Sequence, residues 1–391
     1  MERVPTLIIG GGIGGLTAAL AVSRSGRRVH VLEKSPEFGE IGAGLQLAPN
    51  AMHVLDELGL ATEIGKNAVF PARLQWMDAL TAAPITAVDL GAAFRQRYGQ
   101  PYIVMHRGDL LATLLEACRA EKGITLEAGR DVVAIEDHGD AASVRCIDGA
   151  VYDAEILIGA DGLHSLARRS LSNDEPVCDG CVAYRGTIPM AQLSTHAGLD
   201  NVLMWVGPQM HFVQYPLRRG ELYNQVAVFK SPRYAPGAEA WGTVEELDAH
   251  YAQTCDDVRA AVRLMWRDRH WPMFDRKPIE RWTRNRLALL GDAAHPMYQY
   301  IAQGACQAIE DGLALARHLT AAPQDPAGAL RAYERARLLR TARVQLTARA
   351  MGAFFHLGGV AASVRNAMMA GRRADDYTLL DWLYGYRIGT P

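Results

Sequence analysis

Val4-Pro5-Thr6-Leu7-Ile8-Ile9-Gly10-Gly11-Gly12-Ile13-Gly14-Gly15-Leu16 is the stretch from which the fold can be read. Val4 to Ile9 is a short, mostly apolar run closed by glycines, as a buried strand is. Leu16 to Ser25 is rich in Ala and Leu and predicts a helix that stops at Gly26; Arg28 to Leu32 predicts the next strand. Strand, helix and strand within about 30 residues make the βαβ unit that opens a doubly wound sheet. The turn between the first strand and the helix reads G-x-G-x-x-G. Gly10 makes the tight turn, Gly12 lets backbone approach a pyrophosphate, and Gly15 lets helix and strand pack closely. Phosphates would sit on the helix N-terminus. Glu33 follows at the end of the second strand, where a carboxylate can accept hydrogen bonds from a ribose. Strand, turn, helix, strand and terminal acid together predict dinucleotide binding; they do not choose FAD over NAD.

Outward from that unit, 391 residues suggest two or three domains at about 150 residues each. The chain is 49% hydrophobic and 21% charged, as soluble globular proteins are. Its net charge of −2 gives no general attraction to nucleic acid. The N-terminus lacks the layout of a signal peptide, and no apolar run of ~18 residues predicts a transmembrane helix. The six cysteines are scattered, which points to a reducing compartment and hence the cytoplasm. Cys178 and Cys181 form one C-x-x-C. No second pair completes a zinc site, and a strand-like stretch follows where a redox dithiol would open a helix. They read as free thiols, and no metal is expected.

Helical patterns recur at 49–58, 108–121, 304–320 and 326–352. Strand patterns lie at 102–106, 131–135, 143–147, 151–158, 182–188, 203–206, 210–217, 222–230 and 286–290, and 232–242 reads as a loop. The block from about 176 to 270 is strand-rich and then helical, unlike the βαβ start, and predicts a second domain. Segment 326–370 interleaves arginines with Leu, Ala and Val. Of the two readings for such a helix, a membrane surface or packing on the body or a second subunit, packing is the plainer.

Two further motifs carry chemistry. Ile156-Leu157-Ile158-Gly159-Ala160-Asp161-Gly162-Leu163-His164-Ser165, continued to Arg168, is an apolar strand followed by D-G-x-x-S-x-x-R. Its aspartate could simply cap a helix. Leu287-Ala288-Leu289-Leu290-Gly291-Asp292-Ala293-Ala294-His295-Pro296 is a strand ending in G-D-A-A-H-P, running on through Gln303-Gly304-Ala305 to Glu310-Asp311. An aspartate at a strand's carboxyl end can bind a chain of hydroxyls, and a helix starting near Gly304 offers free amides to negative charge. His295 and His106 read as structural. No G-x-S-x-G, H-E-x-x-H or P-loop occurs.

Together the three segments resemble the flavin-dependent aromatic hydroxylases of the para-hydroxybenzoate hydroxylase type, in motif order and spacing over nearly the whole chain. The resemblance implies Gly10, Gly12, Gly15 and Glu33 at the ADP half of FAD. It implies Asp161 near FAD and the nicotinamide cofactor, Asp292 with Gly304 and Ala305 at the ribityl and phosphate part, and Arg107 reaching the same region. It also implies a doubly wound FAD-binding domain (1–72, 98–175 and 270–325), an inserted β-rich substrate domain (73–97 and 176–269), and C-terminal helices (326–391). A homodimer and a bound FAD reduced by NADH or NADPH, NADH being favoured, are further implications. Where many members continue with Pro, Gly and Asn, this chain has Gln299, Ala302 and Cys306. That variant, with Val182-Ala183-Tyr184-Arg185-Gly186, resembles the 3-hydroxybenzoate 6-hydroxylase subgroup.

In Met210-His211-Phe212-Val213-Gln214-Tyr215, alternation puts His211, Val213 and Tyr215 on one face. Four residues at ~3.4 Å each set the outer two about 13 Å apart, enough to bracket an aromatic acid. The subgroup carries the same His-x-x-x-Tyr at its substrate site. The resemblance therefore implies a single-component monooxygenase of aromatic catabolism, consuming O2 and a phenolic acid through a flavin C4a-hydroperoxide. With 3-hydroxybenzoate the product would be 2,5-dihydroxybenzoate (gentisate). His211 is the candidate base because its ordinary pKa suits neutral pH. Tyr215 and Gln299 would orient substrate and stabilise charge. The rivals are a salicylate-type or hydroxypyridine-carboxylate hydroxylase, an FAD dehydrogenase or reductase that inserts no oxygen, and a non-catalytic NAD-binding module.

Overall fold

The computed structural model describes residues 2–39, 43–193, 200–238 and 240–389. Residues 1, 40–42, 194–199, 239 and 390–391, which fall within the domain bounds expected above, lie outside the described residues, and of these Glu239 belongs to the expected 232–242 loop.

The first sheet has eight strands. Its main path runs Thr283–Arg284, Leu287–Leu289, Val151–Gly159, Glu2–Ile9, Val29–Leu32, Ile124–Glu127, and a hairpin of Val132–Asp137 and Ala142–Cys146 joins through Val151–Gly159. Glu2–Ile9 lies parallel to both Val29–Leu32 and Val151–Gly159. The chain winds outward in one direction and then returns to the other side of its first strand. The crevice at that reversal is where open α/β sheets bind ligands. All three glycine-containing motifs open at the carboxyl ends of these parallel strands, after Ile9, Gly159 and Leu289.

The first helix spans Ile13–Arg24, three residues earlier than its Leu- and Ala-rich pattern predicts, because Gly14 and Gly15 carry no side chain to show the period. Their bareness is steric. A Cβ on Gly15 would lie 2.0 Å from the Gly10 carbonyl oxygen. Gly10 itself has φ +108, and a Cβ there would meet Ala160 O at 2.3 Å. Helices Arg107–Ala120 and Gly304–Ala321 pack beside the first helix.

The second sheet has seven strands in the order His270–Asp275, Val177–Pro189, Leu222–Lys230, Met210–Leu217, Val202–Gly207, Arg73–Asp78, Pro84–Asp89. It takes in His270–Asp275, past the boundary expected at 269, because this strand pairs with Val177–Pro189. Alternation sorts its side chains. Tyr184, Met210, Phe212 and Phe229 pack on helices Val244–Tyr251 and Asp256–Arg263, while Ala183, Val226 and Val228 turn to Tyr298, Tyr300 and Phe355. Cys178 and Cys181 lie in this sheet with free thiols, both pushed up by burial.

Helix Pro326–Phe355 buries a stripe including Leu330, Tyr333, Arg337, Thr341, Val344 and Ala348 against the body. Among the described residues no helix is long and apolar enough to cross a membrane. The stripe's arginine is the hub of a buried ionic cluster. Arg337 donates to Asp311 at 2.7 Å and to Glu310, while Arg340 adds a second ion pair to Glu310 at 2.7 Å. His295 meets Asp311 at 2.5 Å. Arg337, Glu310, Asp311 and His295 are all fully buried. Burial alone would raise the Asp311 carboxyl, but His295 and Arg337 outweigh it and hold it at about 2. The cluster ties the G-D-A-A-H-P turn to two helices, which is the structural role expected of His295. Arg337→Met strips the buried carboxylates of their shared cation and should cost about 3–5 kcal/mol. Urea unfolding checks this; a loss below about 1 kcal/mol would show that the cluster does not hold the turn.

Candidate active site

A cavity of about 1100 Å³ runs from the glycine turn, across the strand ends, to the inner face of the second sheet. It is larger than an ordinary small-ligand pocket and has room for a dinucleotide and a second molecule.

At its first end lie Gly10, Gly12, Glu33, Asp161 and Asp292. A Cβ built on Gly12 meets nothing within 4 Å, so this glycine faces open space. Gly12 caps helix Ile13–Arg24 and Gln303 caps Gly304–Ala321, neither with a side-chain hydrogen bond. Both helix starts, Gly304 and Ala305 included, border the cavity and present unsatisfied amides to it. Glu33 accepts from the Gly11 amide at 2.7 Å and the Ser35 amide at 2.9 Å. A carboxylate has about four acceptor positions, so capacity for a ribose remains. Arg107 lines the same space; burial lowers its proton affinity and Asp292 restores part of it. Asp292 is exposed to the cavity. Donors for phosphate, acceptors for sugar hydroxyls and an open glycine fit a dinucleotide.

Asp161 is more committed than its motif suggests. One oxygen accepts from Ser165 at 2.5 Å, the other from the amides of Leu166 and Ala167 at 2.7 and 3.1 Å. It caps the short helix Leu166–Arg169 and shapes the cavity wall through that loop. Arg168, the motif's last residue, donates to the carbonyls of Ala293 and Ala294 at 3.0 and 2.7 Å and so clamps the second motif to the third.

At the far end His211, Val213 and Tyr215 line the cavity from one strand, and Gln299 and Tyr300 face them from the loop after the third motif. Tyr215 is buried and its hydroxyl is pushed up by that burial. Gly44 is pressed against it; a Cβ there would meet the Tyr215 ring at 2.5 Å. The Gln299 amide oxygen accepts from Arg185, which leaves its NH2 as the free end.

Two residues here were missed in the sequence. Arg185 stands in the quoted Val182–Gly186 run without a role. A lone cation in a strand where Cys181 to Tyr184 are all buried was a usable signal. Its guanidinium lines the cavity, and burial and Arg107 both lower its proton affinity. His356 gave no signal. It lies 145 residues from His211, yet its Nε2 is 2.9 Å from His211 Nδ1.

The family described as FAD binding domain matches residues 3–348. The chain is 39% identical to the 3-hydroxybenzoate 6-hydroxylase of Polaromonas naphthalenivorans, over 99% of this chain and 97% of that one. It is 36% identical to the 3-amino-4-hydroxybenzoate 2-monooxygenase of Streptomyces cremeus, over 98% and 95%. In fold it is similar to HpxO from Klebsiella pneumoniae complexed with FAD and uric acid, with a TM-score of 0.81 at 24% identity over 95% of this chain and 93% of that one.

Proposed function

Because this chain belongs to the FAD-binding family, and is within it an FAD-dependent aromatic monooxygenase, we propose that it hydroxylates 3-hydroxybenzoate para to the hydroxyl, giving 2,5-dihydroxybenzoate with NADH as reductant. The carrying observation is that His211, Tyr215 and Gln299 line the same cavity as Gly12 and Asp292. The full-length relative from Polaromonas supports the choice of acid.

FAD, when bound, supplies electron transfer from the nicotinamide and activation of oxygen. The chain's residues do the rest. Gly12, the two helix starts and Arg107 hold the diphosphate, and Glu33 holds the adenosine ribose. Asp292 takes the ribityl hydroxyls, and Asp161 shapes the loop beside them. Tyr215 and the free NH2 of Gln299 orient the acid. Arg185 places buried positive charge beside both, where an anionic substrate is stabilised. His211 removes the phenol proton, which raises electron density at the ortho and para ring carbons. Burial holds its ring well below the ordinary imidazole range, so its position beside the phenol, and not an ordinary pKa near neutrality, is what recommends it. Phe354, Phe355 and Met351 line the cavity with apolar surface and keep water from the ring.

The test is substrate-stimulated NADH oxidation by the FAD-loaded protein, with product and peroxide both quantified. The panel holds 3-hydroxybenzoate, salicylate, 3-amino-4-hydroxybenzoate and 6-hydroxynicotinate. We expect 3-hydroxybenzoate to stimulate oxidation most and to yield 2,5-dihydroxybenzoate with little peroxide. Peroxide alone from that acid, with coupled product from another, would move the assignment to the other acid. No stimulation by any of the four would reopen the substrate class.

A further inference from the structure

The two ends of the His211 ring have different surroundings. One edge lines the cavity; the other, through Nδ1, meets His356 Nε2 at 2.9 Å. His356 follows the last turn of helix Pro326–Phe355 and is tied to the catalytic strand a second time, through the Gln209 amide, which donates to the His356 carbonyl at 2.9 Å. The pair is boxed in. The Tyr300 ring centre lies 5.2 Å from that of His211 and 5.5 Å from that of His356, with Phe355 at 6.0 Å from His211. Tyr251 donates to the His211 carbonyl at 2.7 Å, and Tyr300 points its hydroxyl at Cys181. The charged and titratable groups acting on His356 are Asp179, His250, Lys230 and Arg365, from four different elements.

We propose that His356 is a positioning residue for His211 and receives, across the Nδ1–Nε2 hydrogen bond, the proton that the phenolic substrate gives up. This rests on the function proposed above. The step balances without a redox partner. The phenol O–H breaks as an N–H forms at His211 Nε2. The His211 Nδ1–H proton moves to His356 Nε2, and the proton on His356 Nδ1 passes to water. His356 keeps 8% of its surface exposed against 2% for His211, so it is the wetter end of the pair.

The tautomer follows from the same bond. Burial holds both rings below the ordinary imidazole range, His356 at about 4, so both are neutral at neutral pH. A neutral pair shares one hydrogen on the bond between them. If His356 donates it, His211 carries its own hydrogen on Nε2 and cannot act as a base. If His211 donates it, Nε2 is bare toward the cavity. The relay requires the second arrangement, with the shared hydrogen on His211 Nδ1 and the His356 hydrogen on its outer nitrogen.

The experiment uses the oxidised, FAD-loaded protein without reductant, mixed in stopped flow with saturating 3-hydroxybenzoate, and follows phenolate absorbance against pH. In His356→Gln the amide oxygen still accepts from Nδ1 but cannot hold the proton. Ionisation should be at least tenfold slower, with acid affinity and FAD binding within about twofold of the unaltered protein. His356→Leu loses the acceptor as well, and its bound phenol should ionise at least one pH unit higher. A residue that only packs would alter affinity or stability and leave the ionisation rate unchanged at saturation. If His356→Gln ionises bound acid at the unaltered rate, the relay is wrong even where Leu is too unstable to assay. If the unaltered protein binds no phenolic acid, or binds it without ionising it, the proposed function fails first, and the two failures are thus distinguished.

Discussion

Gly12→Val should give a folded protein that binds no FAD. Gly12 has extended backbone, φ −76 and ψ −176, which valine adopts without strain. A Cβ there meets nothing within 4 Å, so the protein itself does not resist the substitution. As an N-cap exchange it should cost the flavin-free protein roughly 1 kcal/mol. The added side chain instead fills the space through which the diphosphate reaches the helix amides. We expect colourless protein on purification, with no flavin absorbance after incubation with excess FAD. A yellow, stoichiometrically loaded Gly12→Val protein would refute the placement of the diphosphate. Gly15→Val is the contrast: its Cβ would sit 2.0 Å from the Gly10 carbonyl oxygen, so folding and flavin binding should fail together. Stabilities should be compared without flavin, since a bound cofactor itself stabilises the native state.

The second large effect is expected at the opposite end of the cavity. His211→Ala should lower coupled hydroxylation by about 10²–10⁴, the usual worth of a positioned base, while FAD binding is kept. NADH oxidation should continue and end largely in peroxide, because the ring is no longer activated while reduction of the flavin does not use His211. The substitution also leaves His356 Nε2 without its partner, a cost of about 1–3 kcal/mol, so the assay belongs well below the variant's melting temperature. Coupled turnover within tenfold of the unaltered protein would remove His211 from the chemistry and the relay with it.

The glycine turn proposed to hold the cofactor is legible in the sequence for a physical reason. Phosphate is held by backbone amides at a strand–helix turn, and backbone can come that close only where side chains are missing. The requirement is therefore written as glycines at fixed spacing within one short segment. Gly10, Gly12 and Gly15 are read in order along the chain, and the structure adds the close contacts that keep Gly10 and Gly15 bare and the open space that Gly12 faces. Strand alternation has the same local character, which is why His211, Val213 and Tyr215 could be placed on one face before any fold was known. Asp161 shows the limit of such reading. Its motif marks the right loop and leaves helix capping and cofactor contact both open; the contacts with Ser165, Leu166 and Ala167 show how far its oxygens are committed to capping.

What the sequence determined by itself was thus the doubly wound sheet, the glycine turn and the face of the strand that lines the cavity. Tertiary structure alone decided which side chains complete them. Arg185 reaches Gln299 across 114 residues, Arg337 closes on Glu310 and Asp311 from another helix, and His356 meets His211 across 145. Backbone periodicity repeats within a few residues and leaves a pattern in the chain. A buried polar group needs a partner only in space, and one chain leaves no mark of where that partner will come from.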